Sequence, residues 1–142
     1  MKKITIIGCG LIGGSFAGLV KKFQPSIEIL GIGRREAPLQ AAKNRGLIDN
    51  FECSMDAEFI ASSDLIIIAS PIATVLPTIE TLTNTIKESK TIIEFSSVKT
   101  FLNDPIVLNS HHNIVAMHPM GGLDVQGLKN ASASVLEGCK MI

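Results

Sequence analysis

The stretch Gly8-Cys9-Gly10-Leu11-Ile12-Gly13 constrains this chain more than any other feature. It follows directly on Ile4-Thr5-Ile6-Ile7, a β-branched run that suits a buried strand, and it opens Leu11 to Lys22, which reads as a helix with small residues on the side facing a sheet. A second apolar run, Ile27 to Ile32, completes a strand–helix–strand unit of about thirty residues. In that setting the spacing has a physical meaning. Gly8 permits a tight turn, Gly10 lets a diphosphate approach the backbone, and Gly13 allows the helix to pack closely on the sheet. The first turn, with Leu11, Ile12 and Gly13, offers free N–H groups and the positive end of the helix dipole. The spacing therefore predicts a dinucleotide site rather than a bare glycine turn.

The second strand ends in Gly31-Ile32-Gly33-Arg34-Arg35. A domain that reads the ribose 2′-hydroxyl of NAD would usually carry an acidic residue where Gly33 stands, and Glu28 lies too early in the strand to serve. Arg34 and Arg35 are then free to pair with a 2′-phosphate through their planar forks, so NADP is favoured, with NAD as the alternative cofactor. The competing reading makes both arginines solvated charges at a helix start.

The same alternation runs through the rest of the chain. A helix from about Ala37 to Arg45 stops at Gly46, and residues near Phe51 to Cys53 suit a short third strand. Asp64 to Ala69 is the clearest buried strand and ends at Ser70-Pro71, two candidate cofactor-binding residues. Thr74 to Glu88 suits a helix provided that Pro77 lies in its first turn. Thr91 to Phe95 and Asn113 to Ala116 are further strands, the latter broken by His118-Pro119-Met120-Gly121-Gly122. The fold class that follows is α/β, a Rossmann-type, mostly parallel sheet with helices on both faces.

Residues 1–142 make one dinucleotide-binding domain, since 46% hydrophobic and 18% charged residues suit a single core of this size. Thirteen basic and thirteen acidic residues cancel, which implies neither nucleic acid nor a membrane surface as partner. Cys9, Cys53 and Cys139 are widely spaced and fit reduced thiols, and the start of the chain has no signal-like segment, so the expected compartment is the cytoplasm. His111-His112 lacks a third ligand at usable spacing and reads as an exposed loop, with no metal expected. Met117 and Met120 read as apolar packing.

Three further motifs narrow the family: Leu11-Ile12-Gly13-Gly14-Ser15, Ala69-Ser70-Pro71-Ile72, and Ser97-Val98-Lys99 followed by His118-Pro119-Met120-Gly121-Gly122. With Gly127, Ala131 and Leu136-Glu137-Gly138, the chain resembles the prephenate and arogenate dehydrogenases of tyrosine biosynthesis over nearly its whole length. The resemblance implies an oxidative decarboxylation in which the ring carbon bearing the 4-hydroxyl of prephenate or arogenate gives up hydride, carbon dioxide leaves, and the ring becomes aromatic. It makes His118 the catalytic histidine and Ser97 its partner serine. Imidazole suits the removal of a hydroxyl proton near neutrality, and both residues fall in loops after strands, where open α/β sheets bind ligands. Taken alone, Ser97 could instead cap a short helix starting near Val98, and Lys99 could be solvated or attract the dicarboxylate substrate.

The pattern Asp-Val-Gly-Ser-Val-Lys usual in the family stands here as Glu94-Phe95-Ser96-Ser97-Val98-Lys99, and Leu123-Asp124 replace a frequent Thr and Glu. The family continues into a helical domain that dimerises and supplies arginines to the substrate. That domain is absent here, and Lys140-Met141-Ile142 reads as mid-strand. The expectation is that this chain alone binds NADP but turns over prephenate poorly or not at all. A different NADP-dependent dehydrogenase or imine reductase, or a non-catalytic dinucleotide-binding module, remains the alternative.

Overall fold

The isoleucine-rich runs become the strands of one sheet in a computed structural model that describes residues 1–125 and 127–142. In chain order the strands are β1 (Lys3–Ile7), β2 (Glu28–Ile32), β3 (Asn50–Glu52), β4 (Leu65–Ile68), β5 (Thr91–Glu94) and β6 (Asn113–Ala116). Their order across the sheet is β3-β2-β1-β4-β5-β6, and every pair is parallel. The chain moves outward through β2 and β3, then returns to the other side of β1. The carboxyl ends of β1 and β4 thus form the switch point at which open α/β sheets bind ligands.

Alternation along the strands sorts their side chains onto two faces. On one face, Ile4, Ile6, Ile29 and Ile67 pack under α1 (Leu11–Phe23) and α2 (Glu36–Asn44). On the other, Ile7, Ile66, Ile68 and Ile92 pack under α3 (Ala57–Ala61), α4 (Val75–Thr85) and α5 (Pro105–Leu108). Both faces are covered, which is why the strands read as continuous apolar runs.

Several boundaries differ from expectation for identifiable reasons. Pro77 is the third residue of α4, inside its first turn as required, but the helix stops at Thr85 rather than Glu88. Ile86 turns to extended backbone there and buries its side chain in the core. The segment after β5 holds no helix at Val98 and Ser97 caps nothing; a 3-10 turn spans Thr100–Asn103, entered from Lys99. Neither α3 nor α5 was anticipated, although each has an aspartate cap: Asp56 accepts from the Phe59 N–H at 2.7 Å and Asp104 from that of Ile106 at 2.9 Å.

The His111-His112 pair is only half in solvent. His112 is 6% exposed, its Nδ1 accepts from the Lys90 N–H at 3.2 Å, and its ring lies 4.1 Å from that of His111. The last residues run antiparallel to 118–120: the His118 N–H donates to Ile142 O at 2.6 Å and the Ile142 N–H to His118 O at 3.0 Å.

Candidate active site

The glycine loop is shaped by close approach. Gly8 has φ +97°, and a Cβ there would lie 2.8 Å from the backbone of Ala69 and Ser70, so β1 and β4 can meet at their carboxyl ends only through a glycine. At Gly13 a Cβ would stand 2.2 Å from Gly8 O, because the helix lies directly against the turn. Gly10, which enters α1, is different: nothing lies within 4 Å of its missing side chain. The space is open toward solvent, and the first turn contains no acidic residue that would repel an anion. A diphosphate fits such a cradle.

Gly8 and Gly10 line a hollow of about 370 Å³ that Arg34, Arg35, Ser70 and Pro71 also border. Leu11, Ile12 and Gly13 form the helix turn beside it rather than its wall. Arg34 and Arg35 are exposed, as solvated charges would be, yet both reach the same hollow as the glycine loop. Ser70 Oγ lies 2.8 Å from Thr74 Oγ1, which also donates to Pro71 O at 2.7 Å and so holds the turn after β4. Pro38, Met55 and Thr78 line the hollow too and escaped the sequence reading. Their one common signal is position, at the start of α2, past the end of β3, and on α4.

Cys9, the variable residue between the glycines, is 8% exposed and packs into the core. Burial pushes its thiol up to about 12, only partly offset by a backbone hydrogen bond at Ile32. Cys53 is exposed at the rim of the hollow.

Ser97 and His118 lie further along the same edge. Ser97 follows β5 by three residues and His118 follows β6 by two, and the register Glu94↔Ala116 sets these strand ends side by side. With strands about 4.8 Å apart, they stand roughly 10 to 14 Å from the glycine loop along the edge. They are not in hydrogen-bond contact with each other among the described residues. Ser97 is exposed, while His118 Nδ1 is shut from solvent and has no partner among the described residues. A buried polar atom of this kind normally finds a partner.

Lys99 is not the solvated lysine of the simpler reading. Its ammonium lies 2.5 Å from Oε2 of Glu94, 2.8 Å from Met117 O and 3.3 Å from Glu94 O. The Glu94 side chain is fully buried, and its Oε1 accepts from the Ser96 N–H. This pair was invisible in the sequence, because a Glu at a strand end and a Lys five positions later announce no contact.

A second unforeseen element is the cover over α1. Arg45 donates to Leu128 O at 2.6 Å and to Ala131 O at 2.5 Å, while Gly14 leaves room for the Leu128 and Ala131 side chains. Lys22 and Glu137 pair at 2.6 Å further along. The resemblance had pointed to Gly127, Ala131 and Glu137; the structure makes that segment a brace on the cofactor helix.

No helix among the described residues is long and apolar enough to cross a membrane, and no group of three or more His, Cys, Asp or Glu among them could hold a metal ion. The family model described as "Prephenate dehydrogenase, nucleotide-binding domain" matches residues 16–142. The prephenate dehydrogenase of Lactococcus lactis subsp. cremoris (strain MG1363) is 34% identical, over 96% of this chain and 39% of that protein. A crystal structure of the A. aeolicus prephenate dehydrogenase in complex with hydroxyphenyl propionate and NAD+ has a TM-score of 0.86 at 25% identity, covering 99% of this chain and 49% of that one. Synechocystis arogenate dehydrogenase has a TM-score of 0.81 at 28% identity, over 94% of this chain and 46% of that one. The chain therefore spans less than half the length of these relatives. With the family model matching nearly all of it and a parallel sheet carrying a glycine cradle at its switch point, the chain belongs to the prephenate dehydrogenase family, as its nucleotide-binding domain.

Proposed function

We propose that the protein carrying this domain oxidatively decarboxylates prephenate or arogenate with NADP, and that His118 and Ser97 act at the reacting end of the site. The observation that carries this reading is the buried Nδ1 of His118, without a partner among the described residues, on the same sheet edge as the open Gly10 cradle. The likeness to prephenate and arogenate dehydrogenases supplies the substrate class.

Gly8, Gly10 and the first-turn N–H groups of Leu11, Ile12 and Gly13 bind the diphosphate, with Ser70 and Pro71 opposite and Arg34 and Arg35 at the ribose. When bound, the nicotinamide accepts hydride from the substrate ring. His118 takes the proton of the ring hydroxyl as that bond polarises, and Ser97 holds either the hydroxyl or the imidazole by a hydrogen bond. Loss of carbon dioxide then leaves an aromatic ring. The carboxylates of the substrate need cationic partners, and Lys99 is already paired with Glu94.

The test is turnover of prephenate and of arogenate by the complete gene product and by its His118→Gln variant. A loss on the order of a hundredfold or more in kcat is expected for His118→Gln. Unchanged turnover would remove His118 from the mechanism. Titration of the 142-residue chain with NADP and NAD tests the cofactor, and Arg34→Ala should weaken NADP by about tenfold while leaving NAD nearly unaffected. Equal affinity of the parent chain for both cofactors would overturn the arginine reading.

A further inference from the structure

We propose that Lys99 is a positioning residue that fixes the distance between Ser97 and His118, acting from the buried carboxylate of Glu94. The proposal rests on the reading of Ser97 and His118 as the reacting pair.

The geometry points to this role through what each polar atom in the turn is doing. Glu94 is the last residue of β5, and its two carboxylate oxygens face different partners: Oε1 takes the Ser96 N–H and Oε2 takes the Lys99 ammonium at 2.5 Å. Ser96 Oγ donates to Val98 O at 2.8 Å. The loop is therefore closed on itself on both sides of Ser97, whose hydroxyl is left exposed at the tip beside Val98, with no partner among the described residues. A lysine has three N–H donors, and those of Lys99 meet three acceptors. Two belong to Glu94 on β5, and the third, Met117 O at 2.8 Å, belongs to the residue immediately before His118. The ammonium also lies over the Phe101 ring, 5.9 Å from its centre.

One cation thus ties the loop carrying Ser97 to the backbone carrying His118, across the gap between two strands that have stopped pairing. Beyond the ladder, the Met117 N–H still reaches Glu94 O at 2.8 Å, and Lys99 is the next connection outward. Because its donors are all engaged, Lys99 has none to offer a substrate carboxylate. A fully buried glutamate is costly unless paired, and here the pairing gives the ammonium a fixed place from which to hold the Met117 carbonyl.

Reaction rates respond steeply to misplacement of a reacting group, so loss of this tie should appear in kcat and not in cofactor affinity, whose determinants lie on β1, β2 and β4. In the complete gene product, Lys99→Met is expected to lower kcat by on the order of ten- to a hundredfold with KM for NADP unchanged. Lys99→Arg should restore most of the loss, since a guanidinium can span the same carboxylate and carbonyl. If Lys99→Met fails to fold, the double variant Glu94→Gln/Lys99→Met, which buries no unpaired charge, carries the same test. In the 142-residue chain with labelled histidine, the ring resonances of His118 should move in the folded variant while those of His111 and His112 stay in place. Unchanged kcat and unchanged His118 resonances in a folded variant overturn the proposal, as does a loss of kcat that Arg fails to rescue. His118→Gln measured in parallel separates the two ideas: full turnover by that variant defeats the catalytic reading, whatever Lys99 does to the His118 resonances.

Discussion

The two ends of this sheet edge are built from different materials. At β1 and β4 the site is backbone: a glycine turn, an open helix start, and carbonyls so close that a methyl group would collide. At β5 and β6 it is side chains: a buried carboxylate, an ammonium with every donor engaged, and an imidazole with one nitrogen buried. A backbone site is specified by which residues are small, and it tolerates no additions. A side-chain site is specified by pairings between distant positions, and it fails when one partner is lost.

The sharpest way to break this contrast is with two alanines in the glycine loop. Gly13→Ala places a methyl group 2.2 Å from Gly8 O and should cost roughly 3 kcal/mol of stability in a urea melt. Gly10→Ala meets nothing within 4 Å, so it should change stability by less than about 1 kcal/mol yet weaken dinucleotide binding in a titration. If Gly10→Ala binds as tightly as the parent chain, the cradle is not where the diphosphate sits.

At the other end the informative comparison is between single and paired changes. Lys99→Met strands the fully buried Glu94 and should cost about 2 to 3 kcal/mol, below the full buried-pair penalty because the Lys99 side chain keeps 26% of its exposure. Glu94→Gln/Lys99→Met should recover most of that. Two additive losses would mean that the pair is not a unit.

Cysteine reactivity offers a milder test within the backbone-built end. At pH 8 a thiol reagent should modify exposed Cys53 and spare Cys9, whose thiol burial holds near 12, as read by peptide mass mapping. A bound dinucleotide should slow the reaction of Cys53, which borders the same hollow. Rapid labelling of Cys9 in the folded chain would contradict its packing.

The smallest effect is expected at the opposite end of β6, away from both sites. His112 is held below its usual 6.5 by burial first, with His111 and Lys90 adding repulsion. The unfolded chain therefore binds a proton there more readily, and stability should be full above pH 6.5 and decline as the pH falls through the folded value. A melting series from pH 7.5 to 5 on His112→Asn should show a flatter slope than the parent.

What could be read from the sequence follows the same division. The strands, the glycine loop and the helix behind it were legible because periodicity and glycine spacing are local properties of the chain. The order β3-β2-β1-β4-β5-β6 was not legible, because right-handed crossovers are compatible with more than one order. The resemblance singled out Ser97 and His118, but the Glu94–Lys99 pair stayed hidden, and so did the grip of Arg45 on the Leu128 and Ala131 carbonyls. Those contacts are decided by three-dimensional proximity between residues whose types permit many partners. The short helices α3 and α5 were missed because their aspartate caps lead into only four or five residues, too few for a period to show.

The brace across α1 has a consequence for how the molecule is made. Ser15 on that helix accepts a hydrogen bond from the backbone of Ser132, 117 positions later. At synthesis rates of about 5 to 20 residues per second, the helix waits roughly 6 to 23 seconds before its cover exists. During that interval the groove at Gly14 and Gly18 is bare, and the nascent chain presents the glycine turn without the segment that secures it. Docking of this cover on α1 is thus deferred until residues 128–137 have been synthesised, long after the helix itself.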